Sequence, residues 1–275
     1  MRGSSAVEKQ LRDKYQGRTL LIRNFYEGNH LRYDSGGMPT GSTTPGSWTA
    51  DGFVQVNNIR VSAKGLTLRG SRLLAGASDM EGFYFIEDDK SPTFEINVRL
   101  DSGDITLEQA NAALSRVFLT AADHIEELVP DYWKPCFRGT RHACHFSPKL
   151  LAVPGVSPPA ATSDGSASEA SAAGVDPSIV KIQPGKSAIP PKVINQYNPQ
   201  FSEAARRAKV QGTVVLGLVV DASGNPTKIR ILGPLGCGLD EQAVRTVESW
   251  RFRPAEKDGK PVAAEIAIKI DFHLY

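Results

Sequence analysis

The stretch Ser202-Glu-Ala-Ala-Arg-Arg-Ala-Lys-Val-Gln-Gly-Thr-Val-Val-Leu-Gly-Leu-Val-Val220 decides the fold of the last third of the chain. Ser202 has the short oxygen-bearing side chain that accepts from the free amides of a first helical turn. Gly212 stands just past the other end, so residues 202–210 read as a short helix. From Val214 the period changes to two. Val214, Leu216, Leu218 and Val220 alternate, as one buried face of a strand requires. Asp221-Ala-Ser-Gly-Asn-Pro226 reads as a turn. Beyond it Ile229 and Ile231 alternate with Lys228 and Arg230 in a second strand. Leu239, Ala243, Val247 and Trp250 then fall on one helix face, with Asp240 and Glu241 near its positive N-terminal end. Finally Ile266, Ile268, Ile270, Phe272 and Leu274 alternate with Glu265, Ala267, Lys269, Asp271 and His273. The order is helix, strand, strand, helix, strand. It predicts two helices packed on one face of a three-stranded antiparallel sheet.

Working back from this unit, residues 151–180 change character. Twenty-one of the thirty are Ala, Gly, Ser, Pro or Thr, and only Asp164, Glu169 and Asp176 are charged. Such a segment buries too little apolar surface to offset its chain entropy, and 151–185 reads as a flexible linker. The division expected is therefore a first domain over 1–150, the linker, and a second domain over 186–275. Residues 1–105 read as short strands at 18–26, 30–34, 53–61, 66–69, 83–86 and 93–100. Glu27-Gly28-Asn29, Ser35-Gly36-Gly37, Asp51-Gly52 and Ser102-Gly103-Asp104 are turn signals between them. Thr106 and Gln109 fit a capping box. Leu107, Ala110, Leu114, Val117, Ala121, Ile125 and Leu128 recur at three or four, which predicts one long helix over 106–129, ended by Pro130. The whole is α+β: a β-rich first domain with one helix, then the two-helix, three-strand unit.

The 275 residues carry 32 Lys and Arg against 30 Asp and Glu, a net charge of +2. That balance gives no sign of a nucleic-acid partner. Residues 186–275 are +4, a mild bias that could attract an acidic segment. The longest clear apolar run, 214–220, is far short of the roughly 20 residues of a membrane-spanning helix. The polar start Met1-Arg-Gly-Ser-Ser lacks the apolar core of a signal peptide. The expectation is that a targeting segment or anchor precedes it in the native protein, which N-terminal sequencing would test.

The second unit resembles the TonB C-terminal domain. Asn198-Pro199, Ala204-Ala205 and Gly212 are similar to that family's opening, although Tyr197 is separated from Pro199. The run 214–221 with Gly224 matches its first strand and hairpin. Leu239-Asp240, Ala243-Val244 and Trp250-Arg-Phe-Arg-Pro254 match the second helix and its exit, and Gly259-Lys-Pro-Val262 with the strand ending at Phe272 matches the close. The resemblance covers about residues 186–275 and leaves 1–150 unrecognised. It implies a non-enzymatic periplasmic protein, without cofactor, that captures a peptide of an outer-membrane TonB-dependent receptor by strand addition. It also implies coupling to inner-membrane motor proteins through an anchor that this chain does not contain. The edge implied comprises Val262, Ala264, Glu265, Ile266, Ala267, Ile268, Lys269, Ile270, Asp271 and Phe272. Backbone groups would provide grip and Glu265, Ala267, Lys269 and Asp271 selectivity. The alternative is a cell-envelope binding or scaffold protein that uses the same module without energy transduction. Open edges can also pair with one another, so a homodimer is a further expectation.

Cys136, His142, Cys144 and His145 lie within ten residues. Seven residues between the cysteines is wider than usual zinc-ligand spacing. The oxidising compartment implied by the resemblance favours a Cys136–Cys144 disulfide, with free thiols and a metal site as alternatives. Cys237 is expected unpaired and buried beside Leu239. Gly185-Lys186-Ser187 lacks the earlier glycine of a phosphate loop. No Gly-x-Ser-x-Gly or His-Glu-x-x-His occurs. Glu87-Asp88-Asp89 lacks the ligand spacing of a calcium loop. His124, Glu126 and Glu127 read as a solvated helix face. Trp48, Tyr84, Phe85, Tyr132 and Trp133 are either an aromatic recognition surface or core.

Overall fold

A computed structural model describes residues 2–86, 93–100, 103–138, 141–157, 180–181 and 188–274. The first element is a helix where the sequence reading has none, α1 (Arg2–Tyr15). Strands β1 (Thr19–Leu21) and β2 (His30–Tyr33), helix α2 (Trp48–Asp51) and strands β3 (Phe53–Ser62), β4 (Gly65–Ser78), β5 (Gly82–Ile86) and β6 (Phe94–Arg99) follow. The strands form one sheet in the order β1-β3-β4-β6-β2, with β5 on the far half of β4. All pairings are antiparallel except β2 with β6. Helix α3 (Leu107–Val117) and α1 cover one face. Leu11, Ala110, Ala113, Leu114 and Val117 pack there against Leu31, Val56, Leu68, Phe94 and Ile96.

The capping box forms: Thr106 accepts from the Gln109 amide and the Gln109 side chain accepts from the Thr106 amide. The helix expected over 106–129, however, ends at Val117. Phe118 turns extended so that the chain can line the free edge of β1, where the Leu119 amide donates to Leu21 O at 2.8 Å and the Arg23 amide to Val117 O at 2.9 Å. Asp123 holds the departure. It accepts from the Thr120 amide and pairs with Arg23 at 2.8 and 2.6 Å. Ile125–Glu127 is a separate 3-10 turn, with Ile125 buried and His124 and Glu127 exposed. An apolar period of three or four does not distinguish one long helix from two segments that bury the same faces.

A 3-10 turn at Asp131–Trp133 leads into α4 (Lys134–Arg138), a second turn at His142–Cys144, and α5 (Pro148–Leu151). Cys136 and Cys144 are disulfide-bonded, with Cα atoms 5.4 Å apart. The boundary read at 150 lies too early. Leu150, Val153 and Val156 are all buried, and Gly155, at φ +82°, sits where any Cβ would strike the Leu119 side chain. Residues 151–157 therefore belong to the first unit rather than to a linker. At the linker's other end β7 (Val180–Lys181) is paired with the last strand; 158–179 and 182–187 lie outside the described residues, as do Glu87-Asp88-Asp89 and Gly185-Lys186-Ser187.

Strands β8 (Ala188–Ile189) and β9 (Lys192–Asn195), helix α6 (Glu203–Ala208), strands β10 (Gly212–Val220) and β11 (Pro226–Gly233) and helix α7 (Leu239–Glu248) follow. The chain ends with β12 (Arg251–Arg253), β13 (Ala255–Lys257), β14 (Lys260–Val262) and β15 (Ala264–Phe272). Ser202 caps α6 by accepting from the Ala205 amide at 3.0 Å. Asp221 closes the following turn by accepting from the amides of Ser223 and Asn225. The main sheet is β11-β10-β15-β7, so the expected three antiparallel strands carry a fourth, parallel one.

The two units share a core. Trp48, Phe53, Leu74, Phe83, Trp133 and Phe137 of the first unit join one buried cluster with Leu216, Ile231, Cys237, Leu239, Val247 and Trp250 of the second. The backbone is continuous across this junction. Gly76 and Gly236 form a bridge, with the Cys237 amide donating to Ala75 O at 2.8 Å and the Ala77 amide to Leu235 O at 3.0 Å. A Cβ on Gly236 would lie 2.2 Å from Ala75 O, and its φ of +86° disfavours any side chain.

Candidate functional site

Strand β15 is positioned along its whole length by β10, from Gly212 opposite Phe272 to Val220 opposite Ala264. Its alternation settles which face each residue takes. Ile270 and Phe272 are buried with Ile266 and Ile268 packed against the same core, while Ala267, Lys269 and Asp271 are exposed. Phe272 is fixed by an edge-on contact with Phe201, ring centroids 5.4 Å apart. On the outward face Glu265 pairs with Arg230, two strands away. The guanidinium reaches it by lying across Gly217, where a Cβ would stand 3.0 Å from its Nε. Asp271 accepts from the Thr213 hydroxyl. Lys269 is the exposed cation between these two carboxylates.

The far side of β15 is only partly occupied. β7 runs parallel to it, Val180 opposite Ala264 and Lys181 opposite Glu265. From Ile266 to Phe272 no strand pairs with that side among the described residues. Val262 does not share this edge. It ends β14, opposite Ala255 of β13, in a separate three-stranded sheet with β8. The chain breaks strand at Ala263, so the nine residues Ala264–Phe272 are brought together and Val262 is left out.

The other end of the sheet is covered. The turn at Asp131–Trp133 and helix α4 pack against β11. Trp133, fully buried, donates through Nε1 to Glu241 Oε1 of α7 at 2.9 Å. Trp48 meets Trp133 edge-on at 5.3 Å and Phe83 at 4.9 Å. Trp48 and Trp133 are thus core at the junction of the units, while Tyr84, Phe85 and Tyr132 are half-buried around it. Thr49 Oγ1 accepts from the Gly238 amide at 2.9 Å. Asp240 accepts from the amides of Leu235 and Gly236 at 2.8 and 2.7 Å and so holds the loop that meets β4. Cys237 is buried there, its Sγ 3.7 Å from Ala75 O.

Burial governs the charges at this junction. It pushes the Asp240 carboxyl well up, with the Glu241 charge adding in the same direction. Glu241 is also raised, chiefly by burial, against the opposing bond from Trp133. Asp51, at the end of α2, is raised to about 6 by burial, opposed by Arg72 and the Ser47 amide. Arg72 is itself buried; it caps the carbonyls of Asp51, Tyr26 and Gly28 and lies 4.3 Å from the Phe94 ring. No group of three His, Cys, Asp or Glu among the described residues is arranged to hold a metal ion. No helix among them is long and apolar enough to cross a membrane.

Sequence reasoning missed β7, Arg230 and the Trp133–Glu241 contact. Val180-Lys181 carries no strand signal after a segment rich in small residues. Glu241 reads as a dipole-complementing acid rather than as an interface group.

Residues 197–274 match the family model described as Gram-negative bacterial TonB protein C-terminal. Protein TonB of Vibrio cholerae serotype O1 is 37% identical over 86 residues, 31% of this chain and 35% of that protein. Protein tonB2 of Pseudomonas aeruginosa is 36% identical over 77 residues, 28% of each. Protein TonB of Xanthomonas campestris pv. campestris is 32% identical over 81 residues, 29% of this chain and 36% of that protein. The chain spans about a third of the length of these curated relatives. A solution NMR structure of the Pseudomonas aeruginosa TonB CTD aligns with 31% of this chain and 89% of that one, at 20% identity and a TM-score of 0.26.

Proposed function

We propose, from the premise that residues 197–274 are a TonB C-terminal domain, that this protein captures a peptide segment of an outer-membrane receptor by strand addition along Ile266–Phe272. The observation that carries the reading is the side of β15 from Ile266 to Phe272, which no strand pairs among the described residues. A row of unpaired amides and carbonyls is an aggregation liability unless covered or used. An extended peptide satisfies both sets of groups at once, and its alternate side chains meet Ala267, Lys269 and Asp271 on the outward face. Lys269 favours an acidic residue at the position it faces. Capture of this kind suits a periplasmic protein that passes inner-membrane energy to uptake, the role that the relatives' family supplies.

The test uses the whole chain, because the C-terminal unit shares its core with the first. Peptides from the N-terminal segments of receptors of the same cell are titrated into labelled protein and followed by NMR. Saturable shifts concentrated on Ile266–Phe272 are expected. A folded protein that binds none of the receptor set would reject receptor capture and leave a cell-envelope scaffold as the reading.

A further inference from the structure

Four metal-ligating side chains fall within ten residues of the sequence: Cys136, His142, Cys144 and His145. The structure divides them. The two sulfurs are joined to each other and both cysteines are buried. The two imidazoles are left outside, on the turn that the bridge anchors. His142–Cys144 is a 3-10 turn with His145 as its C-cap. The Cys144 amide donates to Arg141 O at 3.1 Å and the His145 amide to His142 O at 2.9 Å. A helix of three residues per turn brings the side chains at i and i+3 over one another. The rings of His142 and His145 accordingly stand together, their centroids 5.5 Å apart and their planes 40° from parallel.

Both side chains are exposed, and among the described residues neither has a hydrogen-bond or ion-pair partner. Arg141, the cation next to them in the chain, is drawn away: its guanidinium lies over Gly233 of β11. The backbone that carries the rings is held from several directions. Cys144 is bonded to α4 through Cys136. His145 O accepts from the Phe83 amide at 2.6 Å, and the Ser147 amide donates to Phe83 O at 3.0 Å. Gly82 presses so close that a Cβ there would stand within 3.0 Å of the carbonyl oxygens of both His142 and His145. Only the ring torsions are left to adjust, so two nitrogens can converge on one ion with little ordering of the chain.

The spacing suits a shared ion. A metal about 2.0–2.1 Å from one nitrogen of each ring lies about 3.2 Å from each ring centre, which puts two such centres roughly 4.5–6 Å apart. The observed 5.5 Å falls within that range. Imidazole suits copper, nickel and zinc, whereas magnesium and calcium take oxygen ligands.

We propose that His142 and His145 form a two-ligand site for a divalent transition-metal ion, copper(II) before nickel or zinc, with the remaining coordination positions open to water. Two side chains hold the ion where a closed structural centre has four, so the site is exchangeable. It gives the first unit a ligand of its own, distinct from the β15 edge.

The test titrates copper(II) into the labelled, untagged, disulfide-bonded full chain and follows the amide signals, which the unpaired electron broadens near the ion. Zinc(II) forms a second series and magnesium the control. The first equivalent of copper should broaden residues 141–146 and Gly82–Phe83 before the surroundings of His30, His124 and His273, which are exposed as well. Zinc should give saturable shifts at the same residues with lower affinity, and magnesium none. His142→Ala and His145→Ala each alter an exposed side chain, and both should keep their spectral dispersion. Each should bind copper about tenfold or more weakly, because one ring alone loses the gain of a second ligand already in place. No saturable effect of copper at 141–146 overturns the proposal. So do equal broadening around all five histidines, undiminished binding by either variant, or the same shifts from magnesium.

Discussion

The two main sheets of the molecule treat their edges differently. In the N-terminal sheet each edge is closed by the chain itself. Residues 117–119 line β1, residues 38–40 line β2 through the Thr40 amide on Arg32 O, and residues 145–147 line β5 through Phe83. The far half of β4 is closed from the other unit, by the loop at Gly236. In the C-terminal sheet, among the described residues, one end receives such treatment. β11 lies under Asp131–Trp133 and α4, whereas β15 meets β7 for two residues and, among the described residues, no strand beyond. Among the described residues the other edges are covered at some cost in ordering, and this contrast is what the proposed capture of a partner along Ile266–Phe272 draws on. The covering is mutual: the first unit protects the second's sheet, and the second completes the first's.

The sharpest way to break this asymmetry is at Trp133, which carries the cover over β11. Trp133→Ala removes a fully buried ring and the donor to Glu241, and should cost about 3–5 kcal/mol. Denaturant unfolding followed by near-UV and far-UV signals should show the loss as one transition shared by both units. Trp133→Phe retains a ring and loses the donor, and should cost nearer 1–2 kcal/mol. Two separated transitions in the wild-type protein would mean that the units do not share a core.

The next lever is the Cys136–Cys144 bridge, which ties α4 to the turn behind it. Closing a loop this short is worth about 2–3 kcal/mol in the chain-entropy account. The Cys136→Ser, Cys144→Ser variant should unfold at lower denaturant by that amount. If α4 is pinned only by its packing against β11, the stability will not move.

How much of this was legible in the sequence follows from what a pattern can report. Helices α6 and α7 and strands β10, β11 and β15 were readable because each carries an apolar period along its length, and because Ser202 and Asp221 act within a few residues of themselves; the two- to four-residue strands β8, β9, β12, β13 and β14 were not. The N-terminal strands were located for the same reason, but not all their ends: the stretch 18–26 is strand only over Thr19–Leu21, and 66–69 is the start of Gly65–Ser78. The end of α3 was not, because Phe118 leaves the helix to serve β1, about a hundred residues back. The shared core was not, because an apolar stripe says that a face is buried without saying by what. Val262 was misread onto the edge because alternation alone does not reveal the break at Ala263. The candidate site's residues from Ala264 to Phe272 were legible as a strand; its openness was not, since that depends on what the rest of the chain leaves uncovered.

The junction's acids make the comparison sensitive to pH. Asp51 is held at about 6 by burial, above its ordinary 3.8, and Glu241 is shifted the same way. Between about pH 4 and 6 the native state therefore binds protons that the unfolded chain has released, so stability falls as pH rises through that window. With allowance for partial screening, unfolding should cost about 1–2 kcal/mol more at pH 5 than at pH 7.5. Asp51→Asn keeps the acceptor for the Ser47 amide and should flatten the slope. An unchanged slope in that variant would remove Asp51 as its source.

The smallest effect is the one that most directly probes the open edge. β7 already occupies Ala264 and Glu265 in parallel, so a peptide long enough to cover the whole of β15 must displace it, whereas one confined to Ile266–Phe272 need not. Replacing both Val180 and Lys181 by proline removes both of that segment's amide donors and its ability to pair. A long peptide should then bind about three- to tenfold more tightly, by roughly the worth of one or two net hydrogen bonds. A short one should bind as before. The difference between the two peptides, rather than either affinity, is the informative quantity, because a general loosening of the fold would change both. Equal gains for long and short peptides would mean that β7 acts on the sheet as a whole. No gain for either would mean that its two residues are not in the partner's way.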